Sequence, residues 1–200
     1  IPWGGTVTIG DFTMNLQAAD PEIGILYVFA MVSIGVYGIM LGGWASNNKF
    51  ALYGAIRASS QMISYELAMG MAIVALVIHT GTLSMGDIVA GQLDGYWNIL
   101  RQPLGFLLFI VCAFAECNRA PFDLPECETE LVGGYHTEFS SMKLGFYLFA
   151  EYVNMFISSA VMSTLYFGGY DIPFLAQTGD TSVLTVALGT LALFLKIGFF

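Results

Sequence analysis

Long apolar runs alternate with short polar stretches along this 200-residue chain, and the runs dominate. A window of about 19 residues, set against the roughly 20 apolar residues needed to cross about 30 Å of hydrocarbon, predicts membrane helices over residues 23–45, 62–82, 99–115 and 144–167. A fifth is predicted over residues 183–200. Each run is apolar on every side rather than along one stripe, as expected of helices surrounded by lipid or by other helices. Helices are the open-chain solution there because hydrocarbon offers no partner to a loose backbone N–H or C=O. The expected fold class is therefore all-α, a polytopic transmembrane helix bundle. It would hold four complete membrane helices and the start of a fifth within one membrane domain over residues 1–200. Gly35, Gly38, Gly42, Gly43 and Gly70 are expected to give small-residue faces on which such helices pack.

Composition strengthens the membrane reading. Charged residues make up 10% of the chain and hydrophobic ones 56%, against about 25% charged in soluble domains. Six basic residues face fifteen acidic ones, a formal charge of −9. With no basic stripe to neutralise phosphates, nucleic acid is not an expected partner. The few cations set an orientation. Lys49 and Arg57 lie after the first helix, and Arg119 and Lys143 flank the next acidic stretch, whereas residues 81–98 and 168–182 carry Asp but no Lys or Arg. The positive-inside rule then predicts that loops 46–61 and 117–142 share the cytoplasmic face, or the matrix face in a mitochondrion, with Arg101 the exception. The opening residues lack a basic n-region, and the first apolar run lacks a small-residue cleavage site, so no secretory signal is expected. The chain begins without Met and stops at Phe200 inside an apolar run, and it is expected to be an internal piece of a longer membrane protein.

The polar residues that remain concentrate at one place. Between Glu116 and Glu138 lie Asp123, Glu126, Glu128 and Glu130, with two prolines and no strand pattern. A loop of this length and polarity is long for a connector and is expected to carry function. Asp123-Leu-Pro-Glu126 fits a helix start, with Asp as N-cap, Pro just inside and Glu as the reciprocal acceptor. Gly133-Gly134 would end that helix, with Glu126 and Glu130 on one face and Glu128 on another. Two further carboxylates lie inside the apolar runs, each beside a tyrosine: Tyr65-Glu66 and Glu151-Tyr152. At about 1.5 Å per residue, Glu151 would sit roughly 10 Å below the interface. A charged acid at a helix centre costs about 2.5 to 3.5 kcal/mol, so an intramembrane Glu reads as a functional residue, the bland alternative being a neutral Glu hydrogen-bonded for packing. Glu116 is close enough to Arg119 on a helix to pair with it. Crowded carboxylates in a low dielectric do not all ionise, and such a set can carry protons.

Other chemistries find little footing. Cys112, Cys117 and Cys127 form neither a disulfide framework nor a CxxC ligand set, and His79 and His136 have no spaced partner, so no metal site is expected. No glycine-rich nucleotide loop or Ser/His/Asp arrangement is present, and no redox centre is expected in this chain.

Several segments together resemble a known family. They are Gly43-Trp-Ala-Ser-Asn47, Gly54-Ala-Ile-Arg-Ala58, Gln61-Met-Ile-Ser-Tyr-Glu66, Ala115-Glu-Cys-Asn-Arg-Ala-Pro-Phe-Asp-Leu-Pro-Glu126, Glu128-Thr-Glu-Leu-Val132, Gly134-Tyr-His-Thr-Glu138 and Ala150-Glu-Tyr152. In this order they resemble the H-type membrane subunits of bacterial NADH:quinone oxidoreductase, respiratory complex I, whose mitochondrial counterpart is subunit 1. The resemblance covers about Ile23 to Phe167. It implies a bundle of eight membrane helices, of which this chain would hold the third to the sixth and part of the seventh. It also implies a subunit that joins the proton-pumping arm to the peripheral arm, forms part of the quinone chamber and begins a chain of buried acids. Carried over by position, Tyr65, Glu66, Glu116, Glu151 and Tyr152 would belong to the proton pathway. Arg57, Arg119, Asp123, Glu126, Glu128, Glu130 and Glu138 would belong to the quinone-chamber loop. Cys127 and Thr129 stand where small residues are common in the family. The implied substrate is a quinone, ubiquinone or menaquinone, with NAD, FMN and iron–sulfur clusters held only by partner subunits. The implied partners are the peripheral-arm quinone-site subunits, the antiporter-like membrane subunits and the lipid of a bacterial inner membrane, or of the mitochondrial inner membrane. Two other readings keep the acids: an ion-coupling membrane anchor of a hydrogenase-type complex, and a free-standing channel or transporter.

Overall fold

A computed structural model describes residues 1–9, 12–19, 21–93, 95–119, 121–123, 132–172 and 183–200. The fold is an all-α membrane bundle with one small β-hairpin. Strands β1 (Thr6–Ile9) and β2 (Phe12–Asn15) pair antiparallel, with Thr6 opposite Asn15 and Val7 opposite Met14. Then come α1 (Gly24–Ala45), α2 (Lys49–Thr80), α3 (Met85–Leu93), α4 (Asn98–Arg101), α5 (Pro103–Glu116), a 3₁₀ turn at Gly134–His136, α6 (Ser141–Tyr166) and α7 (Val183–Phe199). By length and composition α1, α2 and α6 are long and apolar enough to cross a membrane, and α5 and α7 are shorter apolar helices. Their large side chains bear this out. Ile63, Leu67, Met71, Val74 and Ile78 recur at helical spacing along α2 and are all exposed, Leu67 at 72% and Ile78 at 79%. So long an apolar stripe is stable facing lipid or another membrane helix, not water.

Three helix boundaries depart from the sequence reading. The predicted helix over residues 62–82 is the second half of α2, which begins at Lys49, so most of the predicted loop 46–61 is helical. Hydropathy reports depth in lipid, whereas helix extent follows from propensity and capping, and Asn48 caps this helix by accepting the Phe50 N–H at 3.0 Å. The run over 99–115 breaks at Gln102: α4 ends there and α5 restarts at Pro103, whose missing N–H is harmless in the first turn. Within the polar stretch 81–98, Ser84 opens α3 by accepting the Asp87 N–H.

The chain divides into two compact units. The first comprises residues 1–26, 74–106 and 156–200, the second residues 27–73 and 107–155. In the first, Ala160, Leu193 and Ile197 form a buried cluster against Ile1 and Trp3. Gly4 lets the N-terminal segment approach α7, since a Cβ there would meet Thr190 Oγ1 at 2.9 Å and Val186 at 3.1 Å.

In the second unit, Ala55, Ala58 and Tyr135 are buried together, with Ile39 and Tyr147 packed around them. Gly43 sits at the α1–α2 corner, where a Cβ would run into Ala55 and meet the Ala51 carbonyl at 2.8 Å. Asn47 makes the reversal by adopting a left-handed φ of 50°, a conformation asparagine tolerates better than most residues. Gly54 admits the 3₁₀ turn: a Cβ there would lie 2.6 Å from Tyr135 N and 2.8 Å from Gly134 Cα. Gly42 likewise sits against the Tyr147 hydroxyl. Gly35, Gly38 and Gly70, expected on packing faces, border open space within this structure. Of these, Gly38 contributes its carbonyl, which accepts from the Tyr147 hydroxyl at 3.2 Å.

Candidate polar site of the second unit

The site gathers where the middle of α2 meets the end of α5. Gln61 and Tyr65 lie one turn apart on α2 and share a face, with Glu66 next to Tyr65. From that face the Gln61 Nε2 donates toward the Ala115 carbonyl at 2.9 Å, the Phe122 carbonyl at 2.9 Å and Asn118 Oδ1 at 3.3 Å. One turn further on, the Tyr65 ring meets the Phe122 ring edge-on, with centroids 5.3 Å apart. The chain thus leaves α5 in a fixed direction. Asn118 supports the exit with a left-handed φ of 49° and is itself buried.

Glu116, the last residue of α5, is 5% exposed. It lies close enough to Glu66 for their charges to interact. Glu66 in turn meets the Ser33 hydroxyl of α1, which is also 2.8 Å from the Phe29 carbonyl. A hydroxyl has one proton to give, so Ser33 chooses between backbone and carboxylate. Ser33, Glu66 and Glu116 therefore form a short line of groups able to hold or hand on a proton.

Arg119 does not follow the helical path that would pair it with Glu116. α5 has ended and Asn118 has turned the chain, so the guanidinium reaches α6 instead. Its Nε lies 3.5 Å from Glu151 Oε1 and 3.2 Å from Met155 Sδ, and its Cζ stands 5.2 Å over the Tyr152 ring. Residues 151, 152 and 155 share one side of α6, so a single cation meets an anion, an aromatic face and a polarizable sulfur there. The side-chain hydrogen bond with Tyr152, reinforced by Glu151, raises the Arg119 pKa above its already high ordinary value. The Arg119 cation is permanent, and Glu151 lies directly against it.

The remaining expected residues are more dispersed. Glu138 is exposed and accepts from the Asn48 Nδ2 at 2.6 Å, tying the 3₁₀ turn region to the start of α2. Arg57 is exposed on α2, and Asp123 is exposed just after Phe122. Glu126, Glu128 and Glu130, with the helix expected to begin at Asp123, lie outside the described residues. The sequence reading did not single out Ser33, Asn48, Gln61, Asn118 or Met155. Gln61 had one usable signal, its place four residues before Tyr65 within a polar motif.

A second polar network, in the first unit, was not expected at all. The Gln92 Nε2 donates toward the Thr164 and Leu165 carbonyls, and its Oε1 accepts from the Asn98 and Gly168 N–H groups at 3.2 and 3.1 Å. The Lys196 ammonium donates to the carbonyls of Phe167, Gly169 and Asp171 at 2.7, 2.9 and 2.6 Å, and lies 4.9 Å over the Trp97 ring. Trp97 Nε1 donates to Asp171 Oδ2 at 2.9 Å.

Comparison with known proteins agrees with this arrangement of motifs. The family model for NADH dehydrogenase matches residues 1–200. The chain is 68% identical to the first H-type subunit of NADH-quinone oxidoreductase from Cytophaga hutchinsonii, over 100% of this chain and 58% of that protein. It is 58% identical to the H-type subunit from Flavobacterium psychrophilum, over 98% of this chain and 58% of that protein. It is 53% identical to NADH-quinone oxidoreductase subunit 8 of Rhodothermus marinus, over 82% of this chain and 49% of that protein. The chain thus spans about half the length of these relatives. With the match running through every described element, the chain belongs to the NADH dehydrogenase family, alongside the H-type subunits of NADH-quinone oxidoreductase.

Proposed function

We propose that this chain is part of the membrane subunit of a proton-translocating NADH:quinone oxidoreductase, forming part of the quinone-binding chamber and coupling quinone reduction to proton translocation through buried carboxylates. The observation that carries this reading is the line Ser33, Glu66 and Glu116, which runs from within the apolar helices to the turn at Arg119. Quinone would enter from the lipid and be reduced by an iron–sulfur cluster of a peripheral-arm subunit. NAD and FMN would likewise be held by partner subunits. Reduction changes the charge beside residues 116–138, and the acids respond. A proton taken up near Glu116 can move to Glu66 because neighbouring carboxylates exchange protons through short hydrogen-bonded paths. Glu151 would continue the path toward antiporter-like membrane subunits, with Arg119 holding it in place beside Tyr152. Arg57, Arg119, Asp123, Glu126, Glu128, Glu130 and Glu138 would belong to the quinone-chamber loop. The protein would be a multi-pass component of a bacterial inner membrane. Isolating the native complex and photolabelling it with an azido-quinone tests this reading. Competable labelling within residues 116–138, together with NADH-driven quinone reduction, is the expected result. Hydrogen evolution without competable labelling would overturn it in favour of a hydrogenase-type anchor.

A further inference from the structure

We infer that Gln61 is a positioning residue that holds the turn carrying Glu116 and Arg119, and acts on quinone reduction through them. The functional half of this inference rests on the reading above, and its structural half does not. A carboxamide nitrogen has two N–H donors, yet Gln61 Nε2 is within 3.3 Å of three oxygens. One is the Ala115 carbonyl in the last turn of α5, which also accepts from the Asn118 N–H at 3.4 Å. The second is the side chain of Asn118, the residue that turns the chain with its left-handed φ. The third is the Phe122 carbonyl, past the turn. Between them stand Glu116 and Arg119, so one amide brackets both titratable residues. Tyr65 and Phe122 add an aromatic contact on the same face. On its other side the long Arg119 side chain ties the turn to α6. Backbone hydrogen bonds from the Cys117 and Arg119 N–H groups hold the start of the turn to α5, and Gln61 links the turn to α2. It touches neither carboxylate in this network and is not a proton carrier.

Gln61→Met tests the inference because methionine keeps nearly the same length and volume while removing both N–H donors. Cys117, buried within the turn, reports its opening, and buried Cys112 on α5 serves as the internal reference. The assay is performed on the assembled complex in native membranes, in a Cys127→Ala background, with N-ethylmaleimide labelling read residue by residue by mass spectrometry. Loss of the clamp should speed Cys117 labelling about tenfold, with Cys112 unchanged, since each lost hydrogen bond is worth about 1 kcal/mol. NADH:quinone turnover should fall about tenfold while NADH:ferricyanide turnover is kept, because small misplacements of reacting groups are costly. Gln61→Asn, which keeps the amide one methylene short, should lie between Gln61→Met and wild type in both readouts, and it carries the test if the methionine variant does not assemble. Unchanged Cys117 labelling in these variants would overturn the inference, and so would faster labelling with unaltered quinone turnover. Wild-type turnover in Glu116→Gln would instead defeat the proton reading and leave the labelling result standing.

Discussion

The two polar networks use the same kinds of side chain in opposite ways. In the first unit Lys196 spends its three donors on backbone carbonyls, and Gln92 does the same with its amide nitrogen. Such bonds fix a chain path, because a backbone carbonyl neither titrates nor carries a net charge. In the second unit these contacts run from side chain to side chain, each with at least one ionisable member: Ser33 with Glu66, Glu66 with Glu116, Arg119 with Glu151. Changing the charge of one member there changes the energy of the next. A polar residue in a membrane helix is expensive wherever it sits. On the proposed function, what separates a clasp from a working site is the partner, backbone around Lys196 and another side chain around Glu66 and Arg119.

The contrast is broken most strongly by Glu116→Gln, which preserves shape and removes the titration. Quinone reductase turnover should fall about a hundredfold, in the range for losing a positioned acid–base group. Normalising to NADH:ferricyanide activity separates that loss from failed assembly. Gly54→Ala attacks the scaffold of the second unit. Its Cβ would press on the Gly134–Tyr135 backbone, which has no flexible side chain to yield, and should cost about 2 to 3 kcal/mol. A lowered melting temperature of the purified complex would register it. Lys196→Met removes charge-assisted hydrogen bonds, each worth about 1.5 to 3 kcal/mol before relaxation, and should lower the melting temperature comparably or somewhat less. Turnover per assembled complex should not change. Asn48→Ala, the mildest of the four, loses an N-cap worth about 1 kcal/mol together with the Glu138 contact. Its stability loss should be the smallest.

Much of this fold was legible because lipid imposes one rule. A run with no polar face must be a helix, and the runs that became α1, α6 and α7 could be read to within a few residues. The start of α2 was missed because Lys49–Gln61 is helical without being deeply apolar, and the hairpin because four-residue strands carry too little pattern. At the site, Glu66, Glu116 and Glu151 stood out as acids where acids are costly. Their partners did not. Arg119 finds Glu151 across 32 positions of sequence only because Asn118 ends the helix that would have aimed it at Glu116. Ser33 and Gln61 are ordinary polar residues in apolar helices, and their importance lies in what faces them.

The central claim is that the carboxylates of the second unit carry protons linked to quinone reduction, while the network around Lys196 holds structure. Measuring NADH:quinone against NADH:ferricyanide turnover for Glu116→Gln and Lys196→Met in the assembled complex tests it directly. The account predicts a large selective loss of quinone turnover in the first and none in the second, the second showing only reduced thermal stability. Equal losses in both, or unimpaired quinone turnover in Glu116→Gln, would contradict it.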